Sequence, residues 1–136
     1  MAELVGSRLA LFLDVYGRKP WAPGVDVDCC LFLAEWGICL GHSDPASHLR
    51  GTYYDDAGFL AIIAAHQGVV PLVEHCVARI NGKRVPGPSC GAIGVIGSQS
   101  NIHRQWGAIF DGGRWLVRSR SGISPLAAKP LAIWEI

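Results

Sequence analysis

The apolar positions of this chain change their period part-way along it. Val5, Leu9, Phe12, Leu13 and Tyr16 recur at three- and four-residue steps, the spacing of one helix face, and Gly17 closes the run. A loop with Pro20, Trp21, Pro23 and Gly24 follows, and a second helix is predicted from near Asp28 to near Gly41. Ser43-Asp44-Pro45 predicts a short third helical element, a capping residue followed by proline at a first helical position. Asp55-Asp56 caps a fourth helix over Ala57 to His66, and Val69 to Val77 predicts a further helical turn or two. From Asn81-Gly82 the texture turns to short β-type runs: Ala92 to Ile96, Arg104 to Phe110, Trp115 to Arg118 and Leu131 to Trp134. Pro86-Gly87-Pro88 breaks the chain before the first run, and Asp111-Gly112-Gly113 joins the second and third as a hairpin. Helices followed by an antiparallel meander predict α+β architecture, N-terminal helices packed on a C-terminal antiparallel sheet. No repeat and no long linker divides the chain, so residues 1–136 are expected to form one domain.

Composition narrows the function classes. Half of the 136 residues are hydrophobic and 17% are charged, which supports a packed core and argues against disorder. A formal net charge of +1, with no basic run, leaves no electrostatic footprint for nucleic acid or anionic lipid. The uncharged stretch Ala57 to Val73 contains Gly58, His66, Gln67, Gly68 and Pro71, and membrane insertion is not expected. The N-terminus carries an early acid, Glu3, and no basic n-region, so no signal peptide is read. Five cysteines form no C-x-x-C, and five histidines form no H-x-x-x-H. No metal or other cofactor is called for, and a reduced, cytoplasmic-type protein is expected. Oligomeric state is open.

Asp28-Cys29 carries the most chemistry. The first amides of a helix lack internal partners, and the helix dipole adds positive charge there. Both effects favour a thiolate, and Asp28 is a good capping residue. Cys29 and Cys30 can equally be small core residues at a helix start. Adjacent helical residues point about 100° apart, so one thiol can face a cleft while the other packs inward, and periodicity leaves the choice open. A nucleophilic thiol needs a base, usually histidine. His103, at the mouth of the Arg104–Phe110 run, is the best candidate, with a solvated loop histidine as the alternative. His66 and His75 lie in apolar helical text, and His42 and His48 flank a loop.

The order of helix, loop, Asp-Cys at a helix start, further helices and a strand hairpin resembles the NlpC-type cell-wall peptidases, which are papain-like in fold. A phage- and prophage-encoded, tail-associated subgroup of NlpC-like proteins is more similar still. The resemblance rests on Trp21, Asp28-Cys29-Cys30-Leu31-Phe32, Asp44-Pro45-Ala46, Leu49-Arg50-Gly51-Thr52-Tyr53 and Trp134. It implies a papain-like NlpC-type fold, Cys29 as nucleophile, peptidoglycan peptides as substrate class and phage-tail proteins as partners. A cytoplasmic or virion-associated location follows.

The resemblance also exposes departures. The base-carrying strand matches Gln105-Trp106-Gly107-Ala108-Ile109-Phe110, so Gln105 stands where the family has histidine. Gly91-Ala92 replaces a Gly-Asp pair, and the third polar position falls near Arg118. A glutamine amide cannot take a proton from a thiol at neutral pH. General-base catalysis is worth about 10²–10⁴-fold. His103, two residues earlier, shares a strand face with Gln105 but is displaced by about 6.6 Å. Arg50 and Tyr53 read either as a cleft wall for a substrate carboxylate or as structure, with Arg50 pairing to Asp55 or Asp56. Trp21 can line the cleft. Two functions stay open: a peptidase- or amidase-like hydrolase with a degenerate site, and a non-catalytic phage-tail or prophage structural or binding protein.

Overall fold

Capping residues set where the helices of this chain begin, and glycines mark where several end. A computed structural model describes residues 2–136, with side chains from Leu4 onward. Met1, at the head of the segment read for a signal sequence, lies outside the described residues. Helix α1 (Ala2–Gly17) turns Leu9 and Tyr16 fully inward, with Val5, Phe12 and Leu13 at the core margin, as its period predicts. Helix α2 (Leu31–Cys39) buries Leu31, Phe32, Leu33, Ala34 and Trp36, so it lacks a polar face and lies in the centre. Phe12 of α1 stacks on Tyr16 and on Phe32 of α2, with centroids 5.3 and 5.9 Å apart. Helix α3 (Asp56–Ala65) starts on Asp55, whose carboxylate accepts from the Gly58 amide at 2.7 Å. Helix α4 (Val69–Ala78) follows at a 78° bend and is a full helix, longer than the turn or two expected. Among the described residues no single helix is long and apolar enough to cross a membrane.

The helical element expected at Ser43-Asp44-Pro45 does not form. Residues 43–53 make a run of turns, in which the Leu49 and Arg50 amides both donate to the Ala46 carbonyl. Asp44 accepts from the Ala46 amide two residues on, an Asx turn, while its other oxygen is held by Arg50. That second bond pulls the segment around before a helix can propagate.

Six strands close the chain: β1 (Lys83–Arg84), β2 (Ile93–Gly97), β3 (Gln105–Phe110), β4 (Trp115–Ser119), β5 (Gly122–Pro125) and β6 (Pro130–Glu135). They form one open sheet in the order β1-β6-β2-β3-β4-β5, with every pairing antiparallel. The architecture is therefore α+β, with the N-terminal helices packed on the C-terminal sheet. β1 and β5 are edge strands that the sequence reading did not anticipate, and Arg104 belongs to a 3₁₀ turn (Ile102–Arg104) ahead of β3. The β3–β4 hairpin turns as expected on Asp111, whose carboxylate accepts from the Gly113 and Arg114 amides.

Alternation along the strands makes two cores. Ile93, Val95, Ile109, Ala132 and Trp134 face the helices. Ala92, Ile96, Ala108, Trp115, Val117 and Ile133 face away and are covered by Val85, Trp106, Leu126 and Ala128. β3 and β4 pair only at Ile109–Leu116 and Phe110–Trp115, although both strands run further. Beside this parting, α2 comes closest to the sheet. A Cβ at Gly107 would lie 2.9 Å from the Cys29 carbonyl oxygen and 3.0 Å from Leu33 Cδ1. Gly107→Val is expected to lower the unfolding free energy by about 1–3 kcal/mol in urea titrations, because a backbone oxygen cannot move aside. Wild-type stability in that variant would contradict the close approach.

Candidate functional site

Asp28 organises the site, and its carboxylate is completely buried. Oδ1 accepts from the amides of Cys30 at 3.0 Å and Leu31 at 2.7 Å. Oδ2 accepts from the Gly24 amide at 3.0 Å and from the Tyr53 hydroxyl at 2.5 Å. The Asp28 carbonyl accepts from Phe32, so Asp28 is the working cap of α2 although regular helix begins only at Leu31. Four donors on one carboxylate offset the cost of burying it. Burial and the Asp28 charge hold the Tyr53 and Tyr16 hydroxyls protonated, far above the usual tyrosine range.

The cap spends donors that thiol chemistry would use. The Cys30 and Leu31 amides point at Asp28 and are unavailable to an oxyanion at the helix start. The two cysteines also differ in what they line. Both are partly exposed, but Cys30 lines an apolar cavity of about 40 Å³ with Tyr53, Phe59, Leu72 and Cys76, and Cys29 does not line it. A hydrogen bond with Cys29, burial and the nearby Asp28 charge push the Cys30 thiol well above its usual pKa. Cys30 is therefore a packed, neutral side chain.

Gln105 is buried on β3 with both ends of its amide engaged. Oε1 accepts from the Val69 amide at 3.1 Å, and Nε2 donates to the Ser98 carbonyl at 2.9 Å. It thus caps the first turn of α4, where Gly68 offers no side chain, and ties that turn to the loop after β2. His103 is exposed in the 3₁₀ turn, and its amide donates to Asn101. Among the described residues, no hydrogen bond joins Cys29 to any histidine. His48, His66 and His75 gather elsewhere, with the His75 ring 5.1 Å from His48 and 6.4 Å from His66. Among the described residues no group of His, Cys, Asp or Glu is placed to hold a metal ion.

The residues read as a cleft wall are largely engaged in structure. Arg50 binds Asp44 through Nε at 2.6 Å and Nη2 at 3.2 Å, and donates through Nη1 to the Val25 carbonyl at 2.7 Å. Its acidic partners are therefore Asp44 and, at 3.7 Å, Glu35 rather than Asp55 or Asp56, because the turn at Ala46 folds 44 back on 50. Tyr53 is spent on Asp28. Trp21 is half-exposed, with the Arg118 and Arg120 guanidinium groups 6.0 and 5.8 Å from its ring. Arg118, on the helix-facing side of β4, is only 3% exposed, a burial that its charge concealed at the level of sequence. The signal that could have found it is position: it continues the inward alternation of Leu116.

Residues 3–136 match a family described as a domain of unknown function, DUF6950. The chain belongs to that family. No curated protein and no solved structure is significantly similar to it. In this DUF6950 chain the Asp28 network holds the start of α2, Gln105 holds the first turn of α4, and the Arg50–Asp44 pair closes the turns between α2 and α3.

The Arg50–Asp44 pair gives the site a pH signature. Burial raises the Asp44 carboxyl, but hydrogen bonds from Arg50 and the Ala46 amide, with the Arg50 charge, outweigh it and hold it below its ordinary value. A carboxyl lowered in the folded state contributes stability above its unfolded value that is lost as pH falls through the folded one. Between about pH 5 and pH 3 the wild type should therefore lose more stability than Asp44→Asn in urea titrations. Equal losses in both would contradict this coupling.

Proposed function

We propose that this chain is a papain-like, NlpC-type domain that no longer cuts, a non-catalytic binding or structural module of a phage tail or prophage cluster. Its cleft would descend from one that accepts peptidoglycan stem peptides. The observation that carries this reading is Gln105, whose amide is bonded at both ends to backbone. Thiol attack on an amide requires a proton to leave the Cys29 thiol and another to reach the departing nitrogen, and a glutamine amide does neither. The loss of the Cys30 and Leu31 amides to Asp28 further weakens support for an oxyanion. His103, exposed and unconnected to the thiol by any hydrogen bond among the described residues, offers no replacement base. A virion-associated or cytoplasmic location fits such a module.

One observation favours a second reading, residual hydrolysis through Cys29. At the start of α2 Cys30 lines the apolar cavity and the partly exposed Cys29 does not, the division of labour a nucleophile helix requires. Both readings meet in one assay. Purified chain and Cys29→Ala should give equal, background-level release of products from peptidoglycan stem peptides. Turnover that disappears in Cys29→Ala would overturn the non-catalytic reading and support the second.

A further inference from the structure

Arg118 is the anomaly of this core. Its guanidinium is buried, and among the described residues no acid lies within ion-pair distance of it. Nη1 and Nη2 donate to backbone carbonyls, those of Ser119 and Lys19. Nε is buried with no hydrogen-bond partner, and so is Nε1 of Trp21 beside it. A buried charge without a counter-ion and two orphaned donors are each costly, and native structures rarely leave them so.

The surroundings define what would satisfy them. Arg120 is paired with Asp56, and Lys19 with Asp26, so one positive charge remains uncompensated locally, that of Arg118. The Nε–H of Arg118 is left without a partner, and the edge of a guanidinium is the geometry that matches a planar carboxylate. The Trp21 indole N–H adds a second donor, and the Tyr16 ring, 5.9 Å from the guanidinium, supplies an apolar wall. Extending the Ile109–Leu116 register by two residues sets Arg118 across from Gly107, which abuts the Cys29 carbonyl, at the point where β3 and β4 are no longer paired. Trp21 is itself only partly buried, so the ring that covers the Arg118 guanidinium reaches the surface.

We propose that Arg118 and Trp21 form a carboxylate-binding site at the parting of β3 and β4, taking the monoanionic carboxylate of a peptide terminus. The site stands whether or not Cys29 reacts, so it goes beyond the non-catalytic reading and does not depend on it. The test follows the Trp21 indole N–H resonance of the full chain, assigned by its loss in Trp21→Phe. Titration is at constant ionic strength with N-acetyl-alanyl-alanine, with the C-terminal amide of that dipeptide and with sodium acetate. A saturable shift with the acid and none with the amide is expected. Arg118→Gln should weaken binding by roughly ten-fold or more, a charge-assisted pair being lost. If that variant does not fold, Arg118→Lys replaces it, keeping the charge but not the side-on pair. Tighter binding of the dipeptide than of acetate supports a peptide terminus as ligand. Equal affinity for acetate overturns that assignment in favour of small carboxylates. No saturable shift, an equal shift with the amide, or unchanged affinity in both Arg118 variants overturns the site itself.

Discussion

A single buried carboxylate holds three separate stretches of this chain in register. Asp28 accepts from Gly24 in the loop after α1, from Cys30 and Leu31 at the start of α2, and from Tyr53 at the end of the 43–53 turns. Gly24 and Tyr53 lie outside helices and strands, so no helix or sheet ladder fixes them against the start of α2. The carboxylate can be buried only because all four donors are present, and each donor is ordered only because the carboxylate is there. Tyr16 extends the arrangement, donating to the Asp26 carbonyl two residues upstream. Arg50 fastens the same turns a second time through Asp44 and Val25.

The same logic recurs on the sheet side. Gln105 ties the first turn of α4 to the loop following β2, and Trp36 of α2 donates to the Gly91 carbonyl at 2.9 Å. Polar groups at the helix–sheet boundary thus act as fasteners. A fastener and a proton-transfer group make opposite demands on one side chain. The first must be saturated with fixed partners, and the second must keep a lone pair or proton free for the reacting atoms. Asp28 and Gln105 meet the first demand.

Much of this was legible in the residues, where local rules dominate. The helix-period stripe Val5–Tyr16, the Asp55 cap, the Asp28 cap and the Asp111 hairpin are all fixed by contacts within a few positions. What could not be read depends on distant partners. Ser43-Asp44-Pro45 has a helix-start pattern, but Arg50 captures Asp44 and the helix gives way to turns. Strand β1 is two residues long and exists through pairing with β6, which comes 46 residues later at its nearest. That Cys30 rather than Cys29 packs inward depends on the cavity it shares with Tyr53 and Cys76, which periodicity does not describe. The burial of Arg118 comes from Tyr16 and Trp21, about a hundred residues away, which no local pattern describes.

Urea unfolding of the wild type, Asp28→Ala and Cys29→Ala, side by side, tests most directly whether these residues are fasteners. Removing Asp28 strands three amides and a tyrosine hydroxyl, so a loss of about 3 kcal/mol or more is expected. Removing the partly exposed Cys29 thiol should cost no more than about 1 kcal/mol. An Asp28→Ala variant within about 0.5 kcal/mol of the wild type would contradict the account, because it would mean that the fold does not depend on the carboxylate at its centre.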